Sequence, residues 1–238
     1  MSPGRQMFYL HAYARGVDKR NVFIDYFDYS RFFLALVLSL RPKAPSMSQL
    51  INLIHNHTIT PADFEQKTCN RKYGKPIVNV LSAILMPNHF HLHLSFYSPQ
   101  NCSQVLQRLI GSYTKYFNAR YKREGRLFSS KTKKVPIVSD EQNLYLTKYI
   151  HLNPYKLKDF QSNKKILNQY PWSTYTHYLG KPQKFIINKK FVFDTTYFCN
   201  PKTILGYFPD PDQYRNFILS KNKHEEDLGE KELIDKSD

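Results

Sequence analysis

Apolar residues recur along this chain with two periods, and the order in which those periods alternate sets the expected fold. Residues 7–14 (Met-Phe-Tyr-Leu-His-Ala-Tyr-Ala) read as a strand closed by Arg15-Gly16, and residues 26–40 carry apolar positions at helical spacing. Residues 41–75 are polar and proline-rich around a short helical stretch at 49–55, an insertion between core elements rather than a domain. Residues 77–86 predict a second strand, Pro87-Asn88 breaks it, and 89–97 returns as a third, which makes a β-hairpin. A helix follows over 102–122, opened by Ser103 and stopped near Gly125, then a short strand at 135–138. Ser139 caps a further helix that runs to about Leu152 and ends at Asn153-Pro154. Residues 155–220 read as helical and loop material. The order β, α, β, β, α, β, α predicts an α+β fold, an antiparallel sheet backed by helices, with a face or an edge left for a ligand and a small helical C-terminal extension.

The third strand carries an unusual row. His89, His91 and His93 alternate with Phe90, Leu92 and Leu94, so the three imidazoles share one face, about 6.6 Å between successive members. Two readings follow: the row is solvated while Phe90, Leu92 and Leu94 face the core, or neutral imidazoles converge on a divalent cation. In the helix at 140–153, Tyr145, Tyr149 and Asn153 are spaced four apart and share a face. Ordinary packing accounts for either tyrosine, and helix termination before Pro154 accounts for Asn153. A nucleophile beside an oxygen ligand is the alternative.

Charge narrows the class of partner. The 238 residues carry a formal net charge of +16, which favours polyanions, nucleic acid ahead of an anionic membrane surface. The tail from 221 holds four Lys against seven acids and reads as disordered, leaving +19 on the preceding 220 residues. Arg108, Lys115, Arg120 and Lys122 interleave with Tyr113, Tyr116, Phe117 and Tyr121, and Arg126, Lys131, Lys133 and Lys134 follow. Such interleaving suits single-stranded nucleic acid, whose phosphates meet cations and whose bases stack on rings, although core packing claims most Phe side chains. Cys69, Cys102 and Cys199 form neither a disulfide framework nor a zinc knuckle. With no secretory signal and no apolar run longer than Phe32 to Leu38, the expected setting is soluble, reducing and cytoplasmic, with no membrane partner.

Five segments in order carry a family resemblance. They are Tyr13-Ala14-Arg15-Gly16-Val17 with Lys19-Arg20-Asn21, Leu85-Met86-Pro87-Asn88-His89-Phe90-His91-Leu92, and Tyr113-Thr114-Lys115-Tyr116-Phe117-Asn118. Tyr149-Ile150-His151-Leu152-Asn153-Pro154 and Tyr170-Pro171-Trp172-Ser173-Thr174-Tyr175 complete the set. Over roughly residues 7–180 the chain resembles the single-tyrosine HUH transposases, in particular the IS200-like branch of REP-associated tyrosine transposases. The resemblance implies a ferredoxin-like, RRM-like HUH endonuclease core over 1–160 with its insertion at 41–75, an extension over 161–220, and the acidic tail beyond. It implies Tyr149 as the catalytic nucleophile, with His89, His91 and Asn153 as ligands of Mg²⁺ or Mn²⁺, and leaves His93 either a structural role or one of supporting the ligands. It further implies single-stranded DNA with a hairpin as partner, a 5′-phosphotyrosine intermediate, a nucleoid-associated location, and either a monomer or a homodimer. Arg15, Lys19, Arg20, Arg108, Lys115, Arg120, Lys122, Arg126, Lys131, Lys133 and Lys134 are the expected DNA contacts. Lys148, next to Tyr149, is one candidate for assisting the phenol. Two features depart from the family: the long 41–75 segment and the absence of Trp in Gly125-Arg126-Leu127-Phe128. A non-catalytic single-strand-binding protein and a metal-dependent hydrolase are the alternative readings.

Overall fold

The computed structural model describes residues 6–56, 63, 72–129, 131–157, 167–188 and 191–220. The acidic tail and the segments 57–62 and 64–71 of the expected insertion lie outside the described residues. The core elements are β1 (Phe8–Arg15), α1 (Tyr26–Ser39), α2 (Met47–His55), β2 (Asn79–Met86) and β3 (His89–Phe96). They continue with α3 (Pro99–Arg120), β4 (Lys133–Ile137) and α4 (Asp140–Leu152). Among the described residues no helix is long and apolar enough to cross a membrane.

Local chemistry explains where the helices start. Asp25 caps α1 by accepting from the Phe27 and Asp28 amides, and Ser139 caps α4 through the Gln142 amide. The start of α3 differs from the expectation. Ser98, not Ser103, is its cap, because Pro99 supplies the fixed φ that favours the first helical position.

The four strands lie in the order β2-β3-β1-β4, each neighbour antiparallel. Alternation sends Leu10, Ala12, Ala14, Phe90, Leu92 and Leu94 to one face, where they pack with Phe32, Leu36, Val105, Leu109 and Tyr113 of α1 and α3. On the other face Ile84, Met86 and Ile137 pack with Leu146 and Ile150 of α4. The histidine row belongs to this second face. His89, His91 and His93 are only 8%, 4% and 0% exposed, so the solvated reading of the row fails: α4 covers it.

The C-terminal extension protects an edge. Backbone bonds from Leu85 to Trp172, from Thr174 to Ala83 and from Asn200 to Val80 cover the outer side of β2. The extension comprises α5 (Tyr175–Tyr178), β5 (Lys184–Asn188), β6 (Phe191–Asp194), α6 (Lys202–Leu205) and α7 (Pro211–Leu219). The antiparallel β5–β6 hairpin corrects the expectation of helix and loop alone. Its signal is a short period-two pattern: Phe185 and Phe193 are buried while Ile186 and Val192 are exposed. His151 bolts α4 to this extension, with Nδ1 2.6 Å from Tyr214 Oη and Nε2 3.0 Å from Thr174 Oγ1.

Candidate metal and nucleophile site

Three elements converge under α4. Strand pairing sets Tyr13 of β1 opposite His91, His11 opposite His93 and Arg15 opposite His89. The His89 and His91 rings lie 4.9 Å apart and nearly perpendicular, at 87°. Each is held at Nδ1: His89 by Asn88 Oδ1 at 2.6 Å, His91 by His11 Nε2 at 2.8 Å. His93 differs, with Nδ1 3.0 Å from Thr147 Oγ1 and Nε2 2.9 Å from Asn143 Oδ1, two α4 residues one turn apart. Both its nitrogens are therefore used.

Asn153 closes α4, and its Nδ2 donates to the Tyr149 carbonyl at 3.4 Å, which directs Oδ1 away from the helix backbone. His89 Nε2, His91 Nε2 and Asn153 Oδ1 are all buried, and among the described residues none has a hydrogen-bond partner. Asn153 nevertheless lies near enough to His89 for its amide to favour the charged imidazole, although no pair between them meets hydrogen-bond geometry. Two imidazole nitrogens and an amide oxygen are donors that divalent cations accept. Among the described residues no group of three or more His, Cys, Asp or Glu could hold a metal ion. The set here uses only two of those residue types' members and completes itself with an amide.

Burial keeps these imidazoles neutral. Desolvation, then the Arg15 charge, lowers the His89 pKa from 6.5 to about 4, against the pull of Asn153. His91 is held well below its ordinary value by burial first and by His11 and His89 next. Lys156 pushes both in the same direction. Neutral rings at pH 7 have lone pairs to give, and the surrounding cations suit an incoming phosphate.

The Tyr149 ring stands edge-on to His91 at 5.3 Å and 88°, and 6.3 Å from His11. Its hydroxyl accepts from Lys156 Nζ at 3.4 Å, and the same ammonium lies 4.9 Å from the ring centroid. Lys156 sits on the 3-10 turn Asn153–Lys156 that Pro154 initiates. The expected neighbour, Lys148, is a correction: its ammonium donates to the Ser220 carbonyl at 2.7 Å and hydroxyl at 3.2 Å, over the Phe217 ring. Tyr145, one turn before Tyr149, packs against the Ile84, Met86 and Ile137 cluster.

The expected DNA contacts divide by location. Arg15 ends β1 opposite His89, and Lys19 and Arg20 are exposed on the 3-10 turn that follows. Lys133 is exposed on the outer strand β4, its ammonium 5.7 Å from the Tyr13 ring, which lies 5.6 Å from His91. Lys131 and Arg126 are exposed in the preceding segment, and Lys134 reaches Ser103 Oγ at 3.0 Å. Helix α3 belongs to the opposite face of the sheet from the histidines. Lys115 is exposed there, and Lys122 just beyond it. Arg20 bonds to the Val17 carbonyl and to Asp18 within its own turn, and the two arginines of α3 serve the fold. Arg108 donates to the Leu38 and Arg41 carbonyls near the end of α1, and Arg120 pairs with Asp25 at 2.6 Å and buried Asp28 at 2.7 Å.

His11, Asn88 and Lys156 join the site although the sequence pattern assigns them no role there. The signal for His11 was available, because strand alternation in 7–14 sets it in a row with Tyr13 and Arg15.

No family model matches the sequence, and no curated protein matches it. Among solved structures the chain is distantly similar to a REP-associated tyrosine transposase bound to a REP hairpin, with a TM-score of 0.40 and 12% identity over 76% of this chain and 86% of that one.

Proposed function

We propose that the chain is a metal-dependent single-stranded DNA endonuclease and strand transferase, a tyrosine HUH transposase acting at hairpin-associated sites. The observation that carries this reading is the trio of buried, unpartnered donors, His89 Nε2, His91 Nε2 and Asn153 Oδ1, beside the Tyr149 phenol. The β-α-β-β-α-β order with strands 2-3-1-4 supports a ferredoxin-like core. The five ordered sequence segments support the family reading.

His89, His91 and Asn153 fit a divalent cation, Mn²⁺ ahead of Mg²⁺ for its tolerance of nitrogen ligands. When bound, that ion supplies Lewis acidity toward a non-bridging oxygen of the scissile phosphate. The protein's own groups do the rest. Arg15 and Lys156 attract the phosphodiester, and Lys156 donates to Tyr149 Oη, stabilising negative charge as the phenol gives up its proton. Oη then bonds to phosphorus as the bond from phosphorus to the 3′ oxygen breaks, and the departing 3′ oxygen takes up a proton. The products are a 5′-phosphotyrosine and a free 3′-OH. The phosphodiester linkage is conserved, so attack by another 3′-OH rejoins strands without a nucleotide cofactor.

A non-catalytic single-strand-binding protein explains the charge equally well but gives no role to three orphaned donors beside a phenol. The test is Tyr149→Phe on a labelled single strand bearing a hairpin, with Mn²⁺ present. The SDS-resistant adduct should vanish while DNA affinity stays within about twofold, since only one hydroxyl is removed. An undiminished adduct would move the nucleophile elsewhere, and free 5′-phosphate ends without an adduct would identify a hydrolase.

A further inference from the structure

We infer that Asn88 and His11 are positioning residues that lock His89 and His91 as Nδ1–H tautomers, so that both Nε2 lone pairs are presented for coordination. The inference rests on the metal-binding reading above and assigns work to two residues which that reading leaves idle.

For Asn88 the hydrogen bonds decide the matter. Its amide reaches two groups, the Lys19 carbonyl at 3.3 Å and His89 Nδ1 at 2.6 Å. A carbonyl only accepts, so the NH₂ end faces Lys19 and the oxygen end faces His89. That oxygen also only accepts, so the His89 proton sits on Nδ1 and its Nε2 is a bare lone pair. The anchor is itself fixed. Asn88's own carbonyl accepts from the Gly16 amide at 2.8 Å, and the Val22 and Phe23 amides bond to the Pro87 carbonyl. Lys19 adopts a left-handed backbone (φ 55°), as does Asp18 (φ 54°), so an uncommon local conformation presents this carbonyl to Asn88. A residue between the basic turn and the histidine thus touches both.

For His91 the partner is His11 Nε2 at 2.8 Å, with the rings stacked at 5.0 Å and 24°. One proton is shared along that line. If His11 held it, His91 would carry its proton on Nε2, a buried N–H that has no acceptor among the described residues and so an unmet donor. With the proton on His91 Nδ1, His11 accepts through Nε2, and the His91 lone pair faces outward. Metal-ligating histidines generally hand their second ring N–H to such a partner, which sets ring orientation and raises ligand basicity.

The experiment is a long-range ¹H–¹⁵N correlation spectrum of the imidazoles in the metal-free full chain at pH 7.5, followed by Mn²⁺ titration read by electron paramagnetic resonance. His89 and His91 should both show the Nδ1–H pattern. Asn88→Leu should move His89 toward Nε2–H and leave His91 unchanged, and His11→Phe should do the reverse. Each should weaken Mn²⁺ binding about 10–100-fold, while Asn88→Asp and His11→Gln, which restore an acceptor, should recover most of it. An Nε2–H pattern on either ring of the wild type would overturn the inference, and that spectrum suffices where a variant fails to fold. Unchanged tautomers and Mn²⁺ affinity in Asn88→Leu and His11→Phe would overturn it too. Wild-type protein with both expected tautomers but no Mn²⁺ uptake would instead overturn the metal-binding reading and leave the tautomer assignment standing.

Discussion

Metal-free protein should lose stability steeply between pH 7 and pH 5, because the fold keeps several imidazoles from taking protons. Burial lowers the pKa of both His93 and His151 from 6.5 to about 3, and that of His89 to about 4. The unfolded chain binds these protons near pH 6.5 and the folded chain does not, so stability rises with pH across this window and is lost as pH falls. Lowering the pH from 7 to 5 favours the unfolded state by about 2 kcal/mol for each imidazole kept neutral, or about 6 kcal/mol for these three. His91, held well below its ordinary value, adds to the loss. The total rivals the whole stability of an ordinary domain, about 5–15 kcal/mol. Asp25 does not confuse the window, since Arg120 holds its carboxyl below 3.8. Urea unfolding at pH 7, 6 and 5 with EDTA present gives the curve. His151→Gln should flatten it by about 2 kcal/mol while costing stability at pH 7, since Tyr214 and Thr174 lose their partner. A total change below the effect of one histidine would mean that these rings carry protons in the folded state, and the electrostatic account of the site would fall with it.

Further predictions concern the scaffold and the phenol. Asp28 is fully buried and accepts from the Ile24 amide, the Tyr116 and Tyr121 hydroxyls and Arg120, so Asp28→Ala should cost about 3–5 kcal/mol in urea unfolding. A loss under about 1 kcal/mol would reduce the cluster to a surface ion pair. In Gly16→Ala the new Cβ would lie 2.3 Å from the Arg20 carbonyl and 2.7 Å from Val22 Cγ1, so the turn must shift, at a cost of about 1–3 kcal/mol. A wild-type unfolding midpoint would show that the turn has slack. Lys156→Met should slow adduct formation in single turnover by about 10²-fold, as for loss of one preorganised donor, while DNA affinity falls far less. An unchanged rate would leave Lys156 with no part in the chemistry.

Period and alternation in the sequence locate β1, α1, β3 and α4 within a residue or two, because each is a local pattern. They also set the three histidines on one face. Which way that face points is not local: it depends on α4, about fifty residues later, laying Asn143 and Thr147 over His93. Partners across strands share this problem. His11 meets His91 only through the β1–β3 register, at a separation of 80 residues. Lys148 and Lys156 are both close to Tyr149 in sequence, and helical rotation aims the first at Ser220 while the Pro154 turn returns the second to the phenol. Basicity was legible in composition, but not its use. Arg120 is neutralised by Asp25 and Asp28, more than ninety residues away, so its charge serves the fold. The β5–β6 hairpin is hard to read from sequence because strands of five and four residues carry too few alternations to stand out from loop.

The fold contains its own control for the metal-binding reading. His93 and His151 are as deeply buried as His89 and His91 and equally averse to charge, yet both of their nitrogens find partners: Thr147 and Asn143 for one, Tyr214 and Thr174 for the other. The same α4 that satisfies His93 passes over His91 and contributes an amide whose oxygen bonds to nothing among the described residues. An unmet buried acceptor costs about 1–3 kcal/mol, and a helix able to place Asn143 and Thr147 against His93 could place a hydroxyl against His91 as easily. Packing gives no reason to leave three such atoms together under one helix end, next to a phenol that a lysine touches. A ligand that takes lone pairs gives one. Hence Asn153→Leu, which removes the orphaned oxygen together with the long bond from Nδ2 to the Tyr149 carbonyl, should leave the metal-free protein within about 1.5 kcal/mol of the wild type while weakening Mn²⁺ binding. If it destabilises the metal-free fold by more than that one bond contributes, about 1.5 kcal/mol, the amide oxygen has a structural partner and the trio is not a site.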